Sequence, residues 1–156
     1  MPSVKTMQDT VELVADWPQP SSVGAPRIRT GDGPLRVTYV TGNDDVAALE
    51  FALCHRLIYG HPNDEAMTSH PLYACGLQFY SVHRIKKSSR LLELEQANAV
   101  HPRHNAEAYL VDKEHFVFTF KDATLECLVT TSGRFAPKVL TFATATEARA
   151  AGWDVA

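Results

Sequence analysis

The sequence is poor in cysteine: Cys54, Cys75 and Cys127 are its three thiols, with no CxxC spacing among them. An odd count without paired spacing excludes a disulfide framework and a paired-cysteine zinc site, and points to structural thiols in a reducing compartment. A catalytic thiol needs a base beside it. Only Cys54 has a neighbouring histidine, His55, and adjacent residues of a strand point to opposite faces. No run approaches the roughly 18 apolar residues that cross a bilayer. Asp9, Glu12 and Asp16 also stand where a signal peptide needs an uncharged apolar stretch. The expectation is a soluble, cytoplasmic chain with no membrane partner. Excess charge is lacking too, since 15 basic and 18 acidic residues leave a net charge of −3. That balance supplies no global field for nucleic acid, and none is expected as a partner. There is no HExxH, no GxxxxGK[ST], no GxSxG and no dinucleotide fingerprint. No metal or cofactor is expected.

What is present suits one folded unit: 156 residues, 45% hydrophobic and 21% charged. A chain of this length buries roughly 68 to 70 per cent of its unfolded surface. Pro2, Pro18, Pro20, Pro26 and Pro34 punctuate the start, so residues 1–34 read as an arm ending in an edge hairpin, and 35–156 as a single globular domain. Within the arm, "PRIRT" and "PLRVTYVT" flank "GDG" as two strands. The segment 46–59 alternates like a strand, although its Ala and Leu content also suits a helix. "GLQFYSVHRIKK" predicts a further strand, with Leu77, Phe79 and Ile85 on one side. Ser88 or Ser89 then caps a helix to about Ala99, with Glu93 and Glu95 on its wet face.

The clearest local signal is "HFVFTFKDATLECLVTT", a hairpin whose first strand alternates Phe116, Phe118 and Phe120 with His115, Val117 and Thr119. A turn over "KDAT" pairs Phe120 with Leu125, Phe118 with Cys127 and Thr119 with Glu126. A last strand, "KVLTF", precedes a short helix with Thr144 and Glu147 in capping-box spacing, Gly152 as its stop and Trp153 as its anchor. These elements predict an α+β domain: a mainly antiparallel meander sheet, with room to curl toward a barrel, one central helix and one short C-terminal helix.

Candidate chemistry lies mid-chain, where all seven histidines fall between His55 and His115. Three of them, His61, His70 and His101, precede proline, which suits the second position of a β-turn. Such turns bring together His61 with Asp64, His70 with Tyr73, and His101 with His104. A carboxylate beside His61 could fix its tautomer as in a general base. The plainer role for this stretch is a cap, because Asn63 or Asp64 can start a short helix. His101 and His104 could share a metal, but two ligands are not a site; a third would have to come from His115, Glu126 or the His61 segment. Glu126, between Leu125 and Cys127, is either on an exposed face or buried with a partner. Lining a pocket, it could act as acid or base with Thr119 as neighbour. Arg84, Lys86, Lys87 and Arg90 precede or open a helix, where an anion could be held.

With no catalytic motif, the leading expectation is a small non-enzymatic module that binds a protein or small-molecule partner through the face of the His-Pro turns. The alternative is a small acid-base or metal-dependent enzyme of hydrolase or isomerase type, drawing on His61, Asp64, His101, His104 and Glu126. That alternative requires at least three such groups to converge on one pocket.

Overall fold

The computed structural model describes residues 9–156, so residues 1–8 of the expected arm lie outside the described residues. Among the described residues nine strands build two antiparallel sheets. The first has the order β1 (Thr10–Leu13), β6 (Val82–Lys86), β7 (Lys113–Thr119), β8 (Thr124–Thr130), β5 (Leu53–Gly60). The second runs β2 (Arg27–Arg29), β3 (Leu35–Val40), β4 (Val46–Phe51), β9 (Lys138–Phe142). The fold is α+β, as the sequence implies. The sheets stay open instead of closing into a barrel, because the chain divides its strands between two layers.

The division is made at Ala52, a single bend between β4 in one sheet and β5 in the other. Segment 46–59 is therefore strand, but not one strand. A register shift between Cys54 and Arg56 adds a bulge at His55. The bend and the bulge re-aim side chains, so Phe51, Cys54 and Leu57 all pack on one core while Leu53 and Tyr59 are exposed. Strict alternation fails here for that reason.

Between the sheets lies the main core. Leu35, Val37, Tyr39, Leu49 and Phe51 from one sheet meet Val82, Phe116, Phe118, Leu125, Cys127 and Val129 from the other. Burying each large side chain is worth about 1.5 to 3 kcal/mol, so this aromatic-rich layer is the principal cohesive element. Within the expected arm, Val14 and Trp17 join this core, Trp17 stacking on Phe116 at 4.7 Å, while β1 pairs with β6.

The hairpin β7–β8 keeps the predicted faces but not the predicted partners. Phe120 N–H bonds to Ala123 O, leaving Lys121 and Asp122 as a two-residue loop instead of a four-residue turn. Each residue consequently faces a partner two positions away from the expected one: Phe118 pairs with Leu125, Val117 with Glu126, and Thr119 with Thr124. A shift of two preserves side-chain parity, so Glu126 stays on the face opposite the phenylalanines. The strand expected from Leu77 begins only at Val82, because Leu77 to Tyr80 form a loop in which Tyr80 adopts φ +51° and Phe79 is exposed.

That outer face of the five-stranded sheet is covered. Two 3-10 turns, Asp64–Ser69 and Tyr73–Cys75, bring Met67 and Leu72 onto Ile85 and Val117. Beside them stands α1 (Ser89–Asn98), with Ser88 as its cap, followed by α2 (Ala106–Leu110). On the far side of the molecule α3 (Ala145–Ala150) and Trp153 cover Val46 and Ala48 of the four-stranded sheet. As predicted, Thr144 caps α3 by accepting from Glu147 N–H. No helix among the described residues is long and apolar enough to cross a membrane.

Candidate functional site

Glu126 sits in the middle of β8, on the covered face, with only 5% of its side chain exposed. An isolated carboxylate could not stay charged there, so partners are required. The structure supplies three. His115 on β7 donates from Nε2 to Oε1 at 2.8 Å, and His70, from the second His-Pro turn, donates from Nε2 to Oε2 at 3.0 Å. Arg90 in the first turn of α1 adds Nε to Oε1 at 2.9 Å and Nη2 to Oε2 at 3.5 Å. Burial alone would raise the carboxyl pKa; the bonds from His115 and His70 and the charge of Arg90 override it and hold the group well below the usual range.

Each imidazole is oriented from behind. Leu72 N–H donates to His70 Nδ1 at 3.0 Å, so the proton of the neutral ring is on Nε2 and faces the carboxylate. On the other side, Ser88 Oγ lies 2.7 Å from His115 Nδ1 while accepting Leu91 N–H at 3.1 Å. With His115 Nε2–H aimed at Glu126, Nδ1 accepts a hydrogen bond from the Ser88 hydroxyl. The same serine thus caps α1 and fixes a histidine. His83, fully buried nearby, takes Gln78 N–H on Nε2 and gives Nδ1–H to Val117 O. Burial, and secondarily the proximity of His70, lower its pKa, although the Val117 bond opposes the shift.

A cleft of about 230 Å³ opens onto this cluster. Its wall includes His70, Leu72, Arg90 and His115, with Asp9 and Glu93 also lining it. Arg90 links the two environments, since 31% of its side chain is exposed while its guanidinium grips buried Glu126. Asp9 accepts Ser89 N–H and Oγ–H at 2.7 and 2.9 Å, a second anionic cap on α1.

Of the sequence candidates, Glu126 and Arg90 meet here together with His115, named from the sequence as a candidate third metal ligand, and the others stand elsewhere. The predicted proximity of Thr119 to Glu126 is lost with the register; Thr119 instead pins the loop before β6, accepting Ser81 N–H and donating to Gln78 O. Asp64 accepts the Tyr80 hydroxyl at 2.6 Å, whereas His61 Nε2 lies 3.4 Å from Ser69 Oγ. His101 and His104 do form the expected turn, with His104 N–H on His101 O. Their rings diverge: His101 Nδ1 accepts Arg103 N–H, while His104 lies between Glu95 and Asn98. Glu95 is therefore half-buried with His104 instead of lying on a wet face. Arg84 pairs with Glu114 and Glu12 over the Phe116 ring, on the opposite face from Arg90, and Lys86 and Lys87 are exposed.

His70, His83 and Ser88 are the members that sequence reasoning did not place in a site. His115 was legible as a same-face neighbour of Glu126 by strand parity. Ser88 was visible only as a cap, and His70 contacts Glu126 across 56 residues of chain. Among the described residues no three His, Cys, Asp or Glu side chains form a metal-holding group. At the Glu126 cluster there is a local reason: Leu72 N–H occupies the Nδ1 lone pair of His70, leaving none on its protonated Nε2.

The site thus belongs to an open two-sheet α+β sandwich with a buried histidine-carboxylate-arginine cluster beside a surface cleft. The chain matches no family model, no curated protein and no solved structure.

Proposed function

We propose that the protein is a non-enzymatic binding module and that the cleft beside His70, Arg90 and His115 receives a positively charged group, an ammonium or guanidinium, of a small ligand or a partner side chain. The observation that carries this reading is the pairing of the cluster. Every imidazole nitrogen of His70 and His115 already has a partner, and both oxygens of Glu126 are taken. Such a wall is preorganised for recognition and holds no idle base. Arg90 is balanced by Glu126, so the remaining charge at the mouth comes from Asp9 and Glu93. Exposed Glu93 is only loosely held by Arg56 at 3.4 Å. The volume lies below the roughly 300 to 1,000 Å³ of sites for drug-sized ligands, which favours a single side chain or a small amine.

Calorimetric titration with arginine amide, lysine amide and glutamine amide tests the proposal. The two cations should bind and the neutral amide should not, and Glu93→Gln should weaken both. Equal binding of glutamine amide, or no binding by any, overturns it.

A second reading is favoured by one specific arrangement: Ser88 Oγ–H to His115 Nδ1, and His115 Nε2–H to Glu126, which is the order of a nucleophile, a base and an orienting acid. Against it, Ser88 is buried and its oxygen already caps α1. A fluorophosphonate that reacts with activated serines, followed by peptide mass spectrometry, decides between the two. An adduct on Ser88 supports an enzyme; an unlabelled Ser88 retires that reading.

A further inference from the structure

A second cleft, of about 440 Å³, is on the opposite side, on the outer face of the four-stranded sheet. Strand register builds its floor. Arg29 stands opposite Arg36, Arg36 opposite Glu50 and Glu50 opposite Lys138, so one row across all four strands reads cation, cation, anion, cation, and its first two members line the cleft. Arg27, two residues before Arg29, shares the same face one row along, opposite Thr38. The hairpin loop from Thr30 to Pro34 forms one wall and Gly152 to Asp154 the other.

Arg36 is held rigidly in this cleft. Its Nε bonds Glu50 at 2.9 Å, its Nη1 reaches Gly152 O at 3.3 Å, and its guanidinium stacks over Trp153 at 4.4 Å. Lys138 shares the same carboxylate, at 3.4 Å from Oε2. Glu50 is thereby satisfied by two cations, and its carboxyl, which burial alone would raise, is held below the ordinary value by both. Arg27 and Arg29 have no ion-pair partner among the described residues. Charged side chains on an edge strand often serve to discourage strand pairing. That role requires neither a cleft nor a third, immobilised arginine beside them.

We propose that this cleft is a binding site for a small phosphorylated polyol. Arg27 and Arg29 present planar forks that match phosphoryl oxygens two at a time, which an ammonium cannot do. The volume falls within the range of small-molecule sites. A bare oxyanion would leave the two wall carboxylates, Asp32 and Asp154, repelling it. A ligand whose hydroxyl groups donate to those carboxylates while its phosphoryl group meets the arginines uses both kinds of lining. The site is independent of Glu126 and its cleft, so its fate does not depend on the binding reading given above.

The test is calorimetry on the full chain with mannitol phosphate, mannitol and inorganic phosphate as separate probes. Mannitol phosphate should bind, more tightly than inorganic phosphate, and mannitol should not. The double variant Arg27→Gln, Arg29→Gln should weaken binding by at least about tenfold. Both side chains are exposed, so its circular dichroism and melting temperature should match the parent. Asp32→Asn should weaken mannitol phosphate and leave inorganic phosphate unweakened, which separates recognition of the polyol from recognition of phosphate. Absence of mannitol phosphate binding, or binding that survives the double substitution, overturns the site. Equal affinity for inorganic phosphate and mannitol phosphate overturns the polyol assignment. Glu93→Gln should leave all of these titrations unchanged.

Discussion

Glu126 ties three separate segments to β8, because a donor from each converges on its two oxygens. Glu126→Gln leaves one amide hydrogen facing an imidazole N–H and removes the counter-charge of Arg90. A loss of about 3 kcal/mol is expected, read as a lower urea midpoint with an unchanged slope. The pH dependence follows from two pairs of groups, His83 with His55 and Glu126 with Glu50, each held below its ordinary value. His83 is held below its ordinary 6.5, so as pH falls the unfolded chain takes up a proton that the folded chain refuses. Its contribution is fully present above that value and declines below it. Glu126, held below its ordinary 4.5, contributes above that value and is lost as acid protonates it in turn. Stability should therefore fall in two successive steps on acidification, and His83→Gln should reduce the first, to which His55 also contributes, in urea titrations repeated across pH. The sequence already posed the alternatives for Glu126, exposed or buried with a partner. It could not supply His70, because that contact exists only once the covering turns have folded onto the sheet.

At the scale of elements, strand parity was legible and strand ends were not. The faces of β7 and β8 followed from alternation alone, whereas their pairing depended on two residues of loop length, and composition does not fix loop length. The break at Ala52 was hidden for a related reason: both sides of it are good strand sequence, and only the competing sheets distinguish them. Caps were read well, since an N-cap requires nothing beyond its own helix. They also permit a comparison. Thr144 caps α3 at the surface, while Ser88 caps α1 and orients His115. Thr144→Ala should cost about 1 kcal/mol. Ser88→Ala should cost roughly twice that, because a buried imidazole nitrogen also loses its partner. Thermal melts of the two variants check the order.

For the whole molecule, layering decides what each side can do. The four-stranded sheet is clad by α3 and Trp153, the five-stranded sheet by α1 and the 3-10 turns, and the two clefts described above border one cladding each. Trp153 has two roles in this arrangement, covering Val46 and Ala48 and stacking on Arg36. Trp153→Ala should destabilise by about 3 kcal/mol and loosen the wall of the larger cleft. Melting temperature and amide exchange of β4 would report both effects. Of this layering only the C-terminal helix with its Trp153 anchor was visible in the chain, because which sheet a strand joins is settled by contacts between segments far apart in sequence.

The corner at Ala52 has a consequence for how the molecule assembles. Strand β4 completes its sheet only when β9 arrives from the far end of the chain, and β5 completes the other only by pairing with β8. A single residue joins those two pairings, so the local hairpins β3–β4 and β7–β8 can form early, yet the corner cannot be set until both distant strands are docked. Refolding should accordingly be slow, on the order of milliseconds to seconds, for so few helical contacts. Substitutions that stiffen or distort Ala52 should slow it further while leaving the two hairpins' early formation intact.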